Sequence, residues 1–365
     1  MAVSPVTHNN YKKGDIMTRK KYVHIYQCKH GHVLADDIYD DCGILIIPKD
    51  TVLNEHVIRR LKSFRIRQLS VYEFQEAEDS EKGVSSLDEF KQDYCENLND
   101  MKQVLGDLAA GRKPDYDKVE YISNSIYSKI SCISNIIECM NEVKNIDEYT
   151  YSHSINVSVY ALLIARWLGL QEEEIRNVVT TGILHDIGKT KIPDEILNKK
   201  GPLLPEEYDQ IKNHTSIGYQ LSEDIPQLSD KIRKGILMHH ERVDGKGYPL
   251  CVKGDNISLY AKIISVADVY DALTSERAYK RRITPFDTFG ELVRIGFDHF
   301  DTKILMTFLS HISCYYTGST VKMNNGETGK VIYIVPQSIS TPIVSINGRY
   351  IDLSRDRKLK IVEML

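Results

Sequence analysis

A multidomain, mainly α-helical chain is what the 365 residues predict: a helical bundle with a small α+β module ahead of it and a short β extension behind it. Three observations carry this expectation. Apolar residues recur at helical spacing through the long middle of the chain, alternation with a period of two is confined to its two ends, and the polar stretch "EAEDSEKGVSS" over 76–86 breaks the pattern between module and helices. At this length two or three modules are expected, because one core takes roughly 100 to 200 residues.

Over residues 20–75 short β-type pieces alternate with turn residues: "GHVLADDIY", then "GILIIP" behind an Asp-Asp-Cys-Gly turn, then a helical "NEHVIRRLKSF", then "IRQLSVYE". This is the accessory α+β module. Residues 76–143 supply a linker and connecting helices, one from near Leu87 and one from near Tyr116 to Val143, separated by the break "AGRKPD". Residues 144–315 form the helical domain. There Val157, Ala161, Ile164, Ala165 and Leu168 recur at helical spacing, and Glu172, Glu173 and Glu174 place acid in a first turn, where the helix dipole favours it. Leu204-Pro205 marks a further start, a helix spans about 257–276, and "TPFDTFGEL" opens another. In 316–365 the period changes: "STVKMNNGETGKVIYIVP" is a strand, a turn and a strand, followed by "TPIVSI", "RYIDL" and "KIVEM".

Charge and composition exclude several functions. Forty-seven Lys and Arg against 51 Asp and Glu give a net charge of −4, which leaves no global positive field for a nucleic-acid polymer. Any phosphate recognition must be local. Seven cysteines without a CxxC pair match neither a disulfide framework nor a thiolate zinc site, and they suit a reducing compartment. No apolar run reaches the roughly 18 residues of a membrane span, so a cytoplasmic location is expected, with peripheral association left open.

Within the helical region, polar groups stand where the pattern calls for apolar ones: His153, His185 with Asp186, His214, His239 with His240, and Asp268. Any one histidine is more often a satisfied core or surface residue. The set is different, because a core has no physical reason to gather five imidazoles and two carboxylates near helix ends, where each costs free energy unless bonded or ligated. Together they suffice for two divalent ions with positions left for water, and imidazole plus carboxylate suits iron, manganese, nickel or zinc better than calcium. Successive members lie about 25 to 32 residues apart, the length of a helix, a loop and most of a second helix, so each can return to one centre in a bundle.

The blocks "HDIGK" at 185–189, "KNH" at 212–214, "HHERVDGKGYP" at 239–249 and "ADVYDALTSERAYK" at 267–280 resemble the HD-GYP family of metal-dependent phosphohydrolases. The resemblance covers about 145–315; residues 20–75 resemble a module often found before that domain, and the β tail resembles a frequent extension of it. It implies a metal-dependent phosphodiesterase that hydrolyses cyclic di-GMP to pGpG, with GMP as an open further product. It also implies His153, His185, Asp186, His214, His239, His240 and Asp268 as ligands of two divalent ions, iron or manganese, with Asp186 between them. Lys189 is implied near the scissile phosphate, Arg277 and Lys280 on the dinucleotide's phosphates, and Tyr248 on the substrate side of the loop formed with Gly245, Gly247 and Pro249.

Plainer readings stand beside these. Lys189, Arg277 and Lys280 could also be solvated cations near helix ends. Asp271, one turn from Asp268, suits an orienting carboxylate or local base as well as ordinary helix-surface polarity. Glu241 and Arg242 are expected in an exposed loop, with a supporting role at the site left open, and "DGKGYP" also suits a simple turn. The chain departs from the family pattern at Thr215, where proline is common, at Thr190-Lys191, and at Tyr149. The last replaces a glutamate that helps to hold a third metal in some members, so a dinuclear centre is expected. Two other functions stay open: hydrolysis of another cyclic or polyphosphorylated guanine nucleotide, and a non-catalytic signalling module that binds a cyclic dinucleotide. The N-terminal module is the candidate surface for a signalling-protein partner, or else a stabilising appendage, and homo-oligomerisation stays open.

Overall fold

Val23, Leu69 and Val71 point to one face of a pleated pair, as their period-two spacing requires, and they anchor the first of two units into which the chain divides, Met1–Gly83 and Val84–Leu365. The computed structural model describes residues 19–29, 32–39, 45–49, 51, 53, 57–58, 61–62, 66–73, 87–130, 136–143, 149–275 and 283–365. In the first unit β1 (Arg19–His24) pairs antiparallel with β4 (Gln68–Glu73), setting Val23 opposite Leu69, while β2 (Ile38–Tyr39) pairs with β3 (Leu45–Ile47). Leu34, Ile47, Leu53, Val57, Leu61 and Leu69 close a core of their own.

The second unit begins with α1 (Leu87–Ala109), α2 (Tyr116–Ile130) and α3 (Ile136–Val143). The helix expected over Tyr116–Val143 is helical at Tyr116–Ile130 and at Ile136–Val143, and residues 131–135 between them lie outside the described residues. Next comes α4 (Tyr149–Trp167), whose residues 152–165 are all buried. A helix buried on every side belongs at the centre of a bundle. Accordingly α1, α2, α5 (Glu172–Leu184), α10 (Leu259–Thr274) and α12 (Thr302–Ile312) all pack on it.

Between α5 and α10 the chain makes α6 (Asp194–Leu197), α7 (Pro205–Lys212), α8 (His214–Glu223) and α9 (Asp230–Met238). Pro205 sits in the first turn of α7, as expected, and Glu207 reaches back to accept from the Leu204 amide at 2.7 Å. After α10, α11 (Pro285–His299) starts at an N-cap, Thr284, whose hydroxyl accepts from the Asp287 amide. No described helix is long and apolar enough to cross a membrane.

The tail forms an antiparallel sheet of five strands in the order β8 (Arg349–Asp352), β7 (Ile343–Ile346), β6 (Thr328–Tyr333), β5 (Thr320–Met323), β9 (Ile361–Met364). Its inward residues Val321, Val331, Val344 and Ile346 belong to the same hydrophobic core as the helices. Phe286 and Phe289 of α11 meet Tyr316 edge to face, and Tyr316 exchanges a hydrogen bond with Tyr270 of α10 at 3.0 Å. The extension is therefore packed into the bundle.

Candidate metal centre

Helix α5 stops where its apolar run meets His185. That residue keeps right-handed helical torsions as the C-cap, Asp186 turns away at φ −101° and ψ 8°, and a 3-10 turn follows over Ile187–Lys191. The break lets two adjacent side chains, which an ideal helix would splay apart, reach one place. Gly188 makes the next contact. A Cβ there would overlap the His214 carbonyl and come within 2.6 Å of the Gly218 amide nitrogen, so only glycine lets the turn lie against α8.

Three histidines share one device. His185, His214 and His239 each stand at a helix end and donate Nδ1–H to the carbonyl three residues earlier, that of Gly182 at 2.7 Å, Ile211 at 2.6 Å and Ile236 at 2.7 Å. Unpaired helix-end carbonyls supply the acceptors. With Nδ1 protonated, each Nε2 carries a lone pair and is turned inward. His153, in α4, is held differently: its Nδ1 lies 2.8 Å from Asp271 Oδ2, a residue that is fully buried.

Asp186 is the hub. Its Oδ1 lies 3.3 Å from His214 Nε2 and 3.9 Å from His239 Nε2, while its Oδ2 lies 3.3 Å from His185 Nε2 and 3.8 Å from His153 Nε2. Asp268 joins on the His153 side, with Oδ1 at 3.1 Å from Nε2. Two groups with ligand-capable atoms within 4.8 Å of one another thus share Asp186: Asp186, His214, His239 and His240 in one, and His153, His185 and Asp186 in the other.

The donor set fits a divalent cation. His214 Nε2 and His239 Nε2 are 3.3 Å apart, yet both rings have their proton on the far nitrogen, so lone pair faces lone pair. His185 Nε2 and Asp186 Oδ1 are buried with no hydrogen-bond partner. Such groups are costly in a low-dielectric interior, and cations in the two groups that share Asp186 would satisfy them. Electrostatics agree. Burial, aided by the neighbouring imidazoles, holds His239 well below its ordinary value, and burial with the His214 ring pulls His240 down to about 4, keeping both neutral and able to ligate. Burial alone would lower His153 too, but the Asp268 and Asp271 carboxylates outweigh it and push it up to about 10. That side of the site wants positive charge.

Lys189 Nζ lies 2.5 Å from Asp186 Oδ2. Tyr248 stacks on His240 with ring centroids 4.7 Å apart at 28°, and its amide donates to the His240 carbonyl at 3.2 Å. Gly247 permits that fold-back, since a Cβ would stand 2.5 Å from Glu241 Cα. Glu241 corrects the sequence expectation. It is 3% exposed, not an exposed loop residue, and its Oε1 accepts from the Leu250 amide at 2.6 Å, fastening the loop after Tyr248-Pro249. Arg242 is partly buried and grips Asp244 with two nitrogens. Asp271, for which surface polarity was one reading, is interior. Lys191 Nζ donates to the Leu108 carbonyl of α1 at 2.7 Å. Arg277 and Lys280 lie outside the described residues, as does the side chain of Tyr149, whose backbone begins α4. Sequence reasoning missed Asn156, whose polar side chain within the apolar run of α4 was the available signal.

Comparison with known proteins agrees with this geometry. A family model described as HD domain matches residues 133–304. The cyclic di-GMP phosphodiesterase PA4108 of Pseudomonas aeruginosa is 34% identical over 230 residues, covering 63% of this chain and 54% of the relative. Over these residues the chain is similar to HD-domain cyclic di-GMP phosphodiesterases. A further relative, the 3'3'-cGAMP-specific phosphodiesterase 3 of Vibrio cholerae, is 39% identical over 139 residues, 38% of this chain and 30% of that protein. The chain therefore spans about half the length, or less, of these two curated relatives. Among solved structures, the HDG"Y"P protein Bd1817 from Bdellovibrio bacteriovorus covers 80% of this chain and 98% of its own at a TM-score of 0.51 and 15% identity, a likeness of fold alone.

Proposed function

We propose that this chain is a metal-dependent phosphodiesterase of the HD-GYP family that hydrolyses cyclic di-GMP to pGpG. The observation that carries the reading is the division of Asp186: one carboxylate oxygen faces His214 and His239, the other faces His153 and His185. Such a carboxylate suits two divalent ions, one held by His153, His185, Asp268 and Asp186, the other by Asp186, His214, His239 and His240. The nitrogen and oxygen donors, with no thiolate among them, suit iron or manganese. Bound there, such ions lower the pKa of water and offset charge on the attacking and leaving oxygens of an in-line phosphoryl displacement.

The chain's own groups do the rest. The Nδ1 bonds of His185, His214 and His239 keep each ring in one tautomer and one direction, so no reorganisation is needed when substrate arrives. Lys189 brings an ammonium to the edge of the site, where it serves a non-bridging phosphate oxygen. Tyr248, stacked on His240, walls one side and contacts the substrate. Arg277 and Lys280 remain assigned to the outer phosphates. Relatives specific for 3'3'-cGAMP favour a second reading, in which the hybrid dinucleotide is the better substrate of the same site.

Turnover of cyclic di-GMP, 3'3'-cGAMP and linear dinucleotides by anaerobically purified protein with its metals counted tests both readings. The expected result is two ions per chain, pGpG as product, and loss of at least about a thousandfold in turnover with loss of metal in Asp186→Ala, about 4 kcal/mol of transition-state stabilisation. Unchanged turnover and metal content in that variant would refute the shared-carboxylate assignment. A larger kcat/KM for 3'3'-cGAMP would select the second reading.

A further inference from the structure

Behind His153 runs a line of buried hydrogen bonds that leaves the metal site and ends in a different helix. Asp271 Oδ2 accepts from His153 Nδ1 at 2.8 Å, and its other oxygen accepts from Asn156 Nδ2 at 3.1 Å. The Asn156 carbonyl oxygen in turn accepts from the Tyr94 hydroxyl at 2.8 Å. None of the four is more than 5% exposed. In so dry a setting each bond polarises the next, and none can be exchanged for water without cost.

The polarity of the line has one solution. An amide can face Tyr94 with either end, but only its oxygen can accept the phenolic proton while its nitrogen donates to a carboxylate. With Asn156 fixed so, Asp271 Oδ1 is committed and Oδ2 is left for the imidazole, which must then carry a proton on Nδ1 and turn Nε2 toward Asp268 and the site. We propose that Tyr94 is a positioning residue for His153, acting through Asn156 and Asp271. This rests on the reading of His153 as a metal ligand. The helix that carries Tyr94 is α1, outside the HD-domain match, and it touches the centre a second time through the bond from Lys191, just past the HDIGK block, to the Leu108 carbonyl. The orientation of one ligand is thus set from the connecting helices, and a displacement of α1 loosens one half of the centre before the other.

Tyr94→Phe removes the hydroxyl and keeps the ring, and Asn156→Leu removes both amide bonds at similar volume. Three readouts apply to each variant: metal released to a chelator over time, exchange of the His153 Nδ1 proton in metal-free protein labelled with 15N-histidine, and Trp167 fluorescence as a check of folding. Tyr94→Phe is expected to fold normally, to release one of the two metal equivalents about two- to tenfold faster, the worth of one neutral hydrogen bond, and to exchange the Nδ1 proton faster. Because both variants cut one line, the double variant is expected to show little more than Asn156→Leu alone. Rates equal to wild type in Tyr94→Phe, or full additivity in the double variant, would overturn the proposal. His153→Ala separates the two assignments. If it keeps the full metal complement, the ligand reading fails and the relay with it; if it loses metal while Tyr94→Phe matches wild type, the relay alone fails.

Discussion

A histidine whose Nδ1 proton is given to a helix-end carbonyl is a ligand in waiting, and burial makes His214 and His239 resist protonation. The consequence for pH has opposite signs on the two sides of the centre. His240 falls to about 4 in the folded chain against 6.5 for the free side chain, so between those values the unfolded chain holds a proton that the native one lacks, and stability drops as pH falls through that window. His239 and His214 are lowered as well and act in the same direction. His153, raised to about 10, contributes stability that is fully present below 6.5 and is lost as pH rises toward 10. Metal-free protein is therefore predicted to be most stable near pH 6.5 to 7, with a urea midpoint that declines on both sides; a midpoint still rising at pH 9 would contradict this. Lys189→Ala should lower kcat/KM roughly ten- to thousandfold, about 1 to 4 kcal/mol, with metal content unchanged, since its ammonium cannot ligate. Parallel loss of metal would assign Lys189 a structural role. The residue types that cluster at the site were legible because imidazoles and carboxylates in an apolar run are conspicuous. Asp271 was legible as an orienting carboxylate one turn from Asp268, but the link from Tyr94 through Asn156 was not, because only tertiary packing brings residues 94 and 156 together.

Helix ends do the positioning at the next scale. The stop of α5 at Leu184, the start of α8 at His214 and the stop of α9 at Met238 converge because the intervening 3-10 turn lies against α8 at Gly188. Gly188→Ala must push its methyl into a backbone carbonyl that cannot rotate away, an overpacking cost of about 1 to 3 kcal/mol. The expected outcome is a lower thermal midpoint together with weaker retention of metal, as His214 is displaced; full metal retention at an unchanged midpoint would show that α8 yields without cost. Such close approach was invisible in the sequence, where glycine after "HDI" has many uses. Periods and breaks carried the helices of the middle region and the strands of the tail. They did not reveal that Glu241, a charged residue in a loop, turns inward to hold the Leu250 amide, because burial of a carboxylate depends on which backbone donor arrives beside it.

Across the second unit a single hydrophobic core joins the helical bundle to the five-stranded sheet, and the sole tryptophan, Trp167, sits in the helical part of that core stacked on His311 with ring centroids 4.8 Å apart. Ile346→Ala, far along the chain in β7, should cost about 2 to 5 kcal/mol and shift the unfolding midpoint seen by Trp167 fluorescence as much as that seen by circular dichroism. Separate transitions would show that sheet and bundle unfold independently. The alternation in "STVKMNNGETGKVIYIVP" announced strands but not their burial partner, since apolar alternation marks a face without naming what covers it. The pairing of β5 with β9 also sets an order of assembly during synthesis. Val321 and Met323 leave the ribosome about forty residues ahead of Ile361, so one side of β5 stays open while β6, β7 and β8 add to the other. A ribosome stalled in that interval would present a strand edge backed by apolar residues, the kind of surface that chaperones hold and that neighbouring nascent chains can pair with.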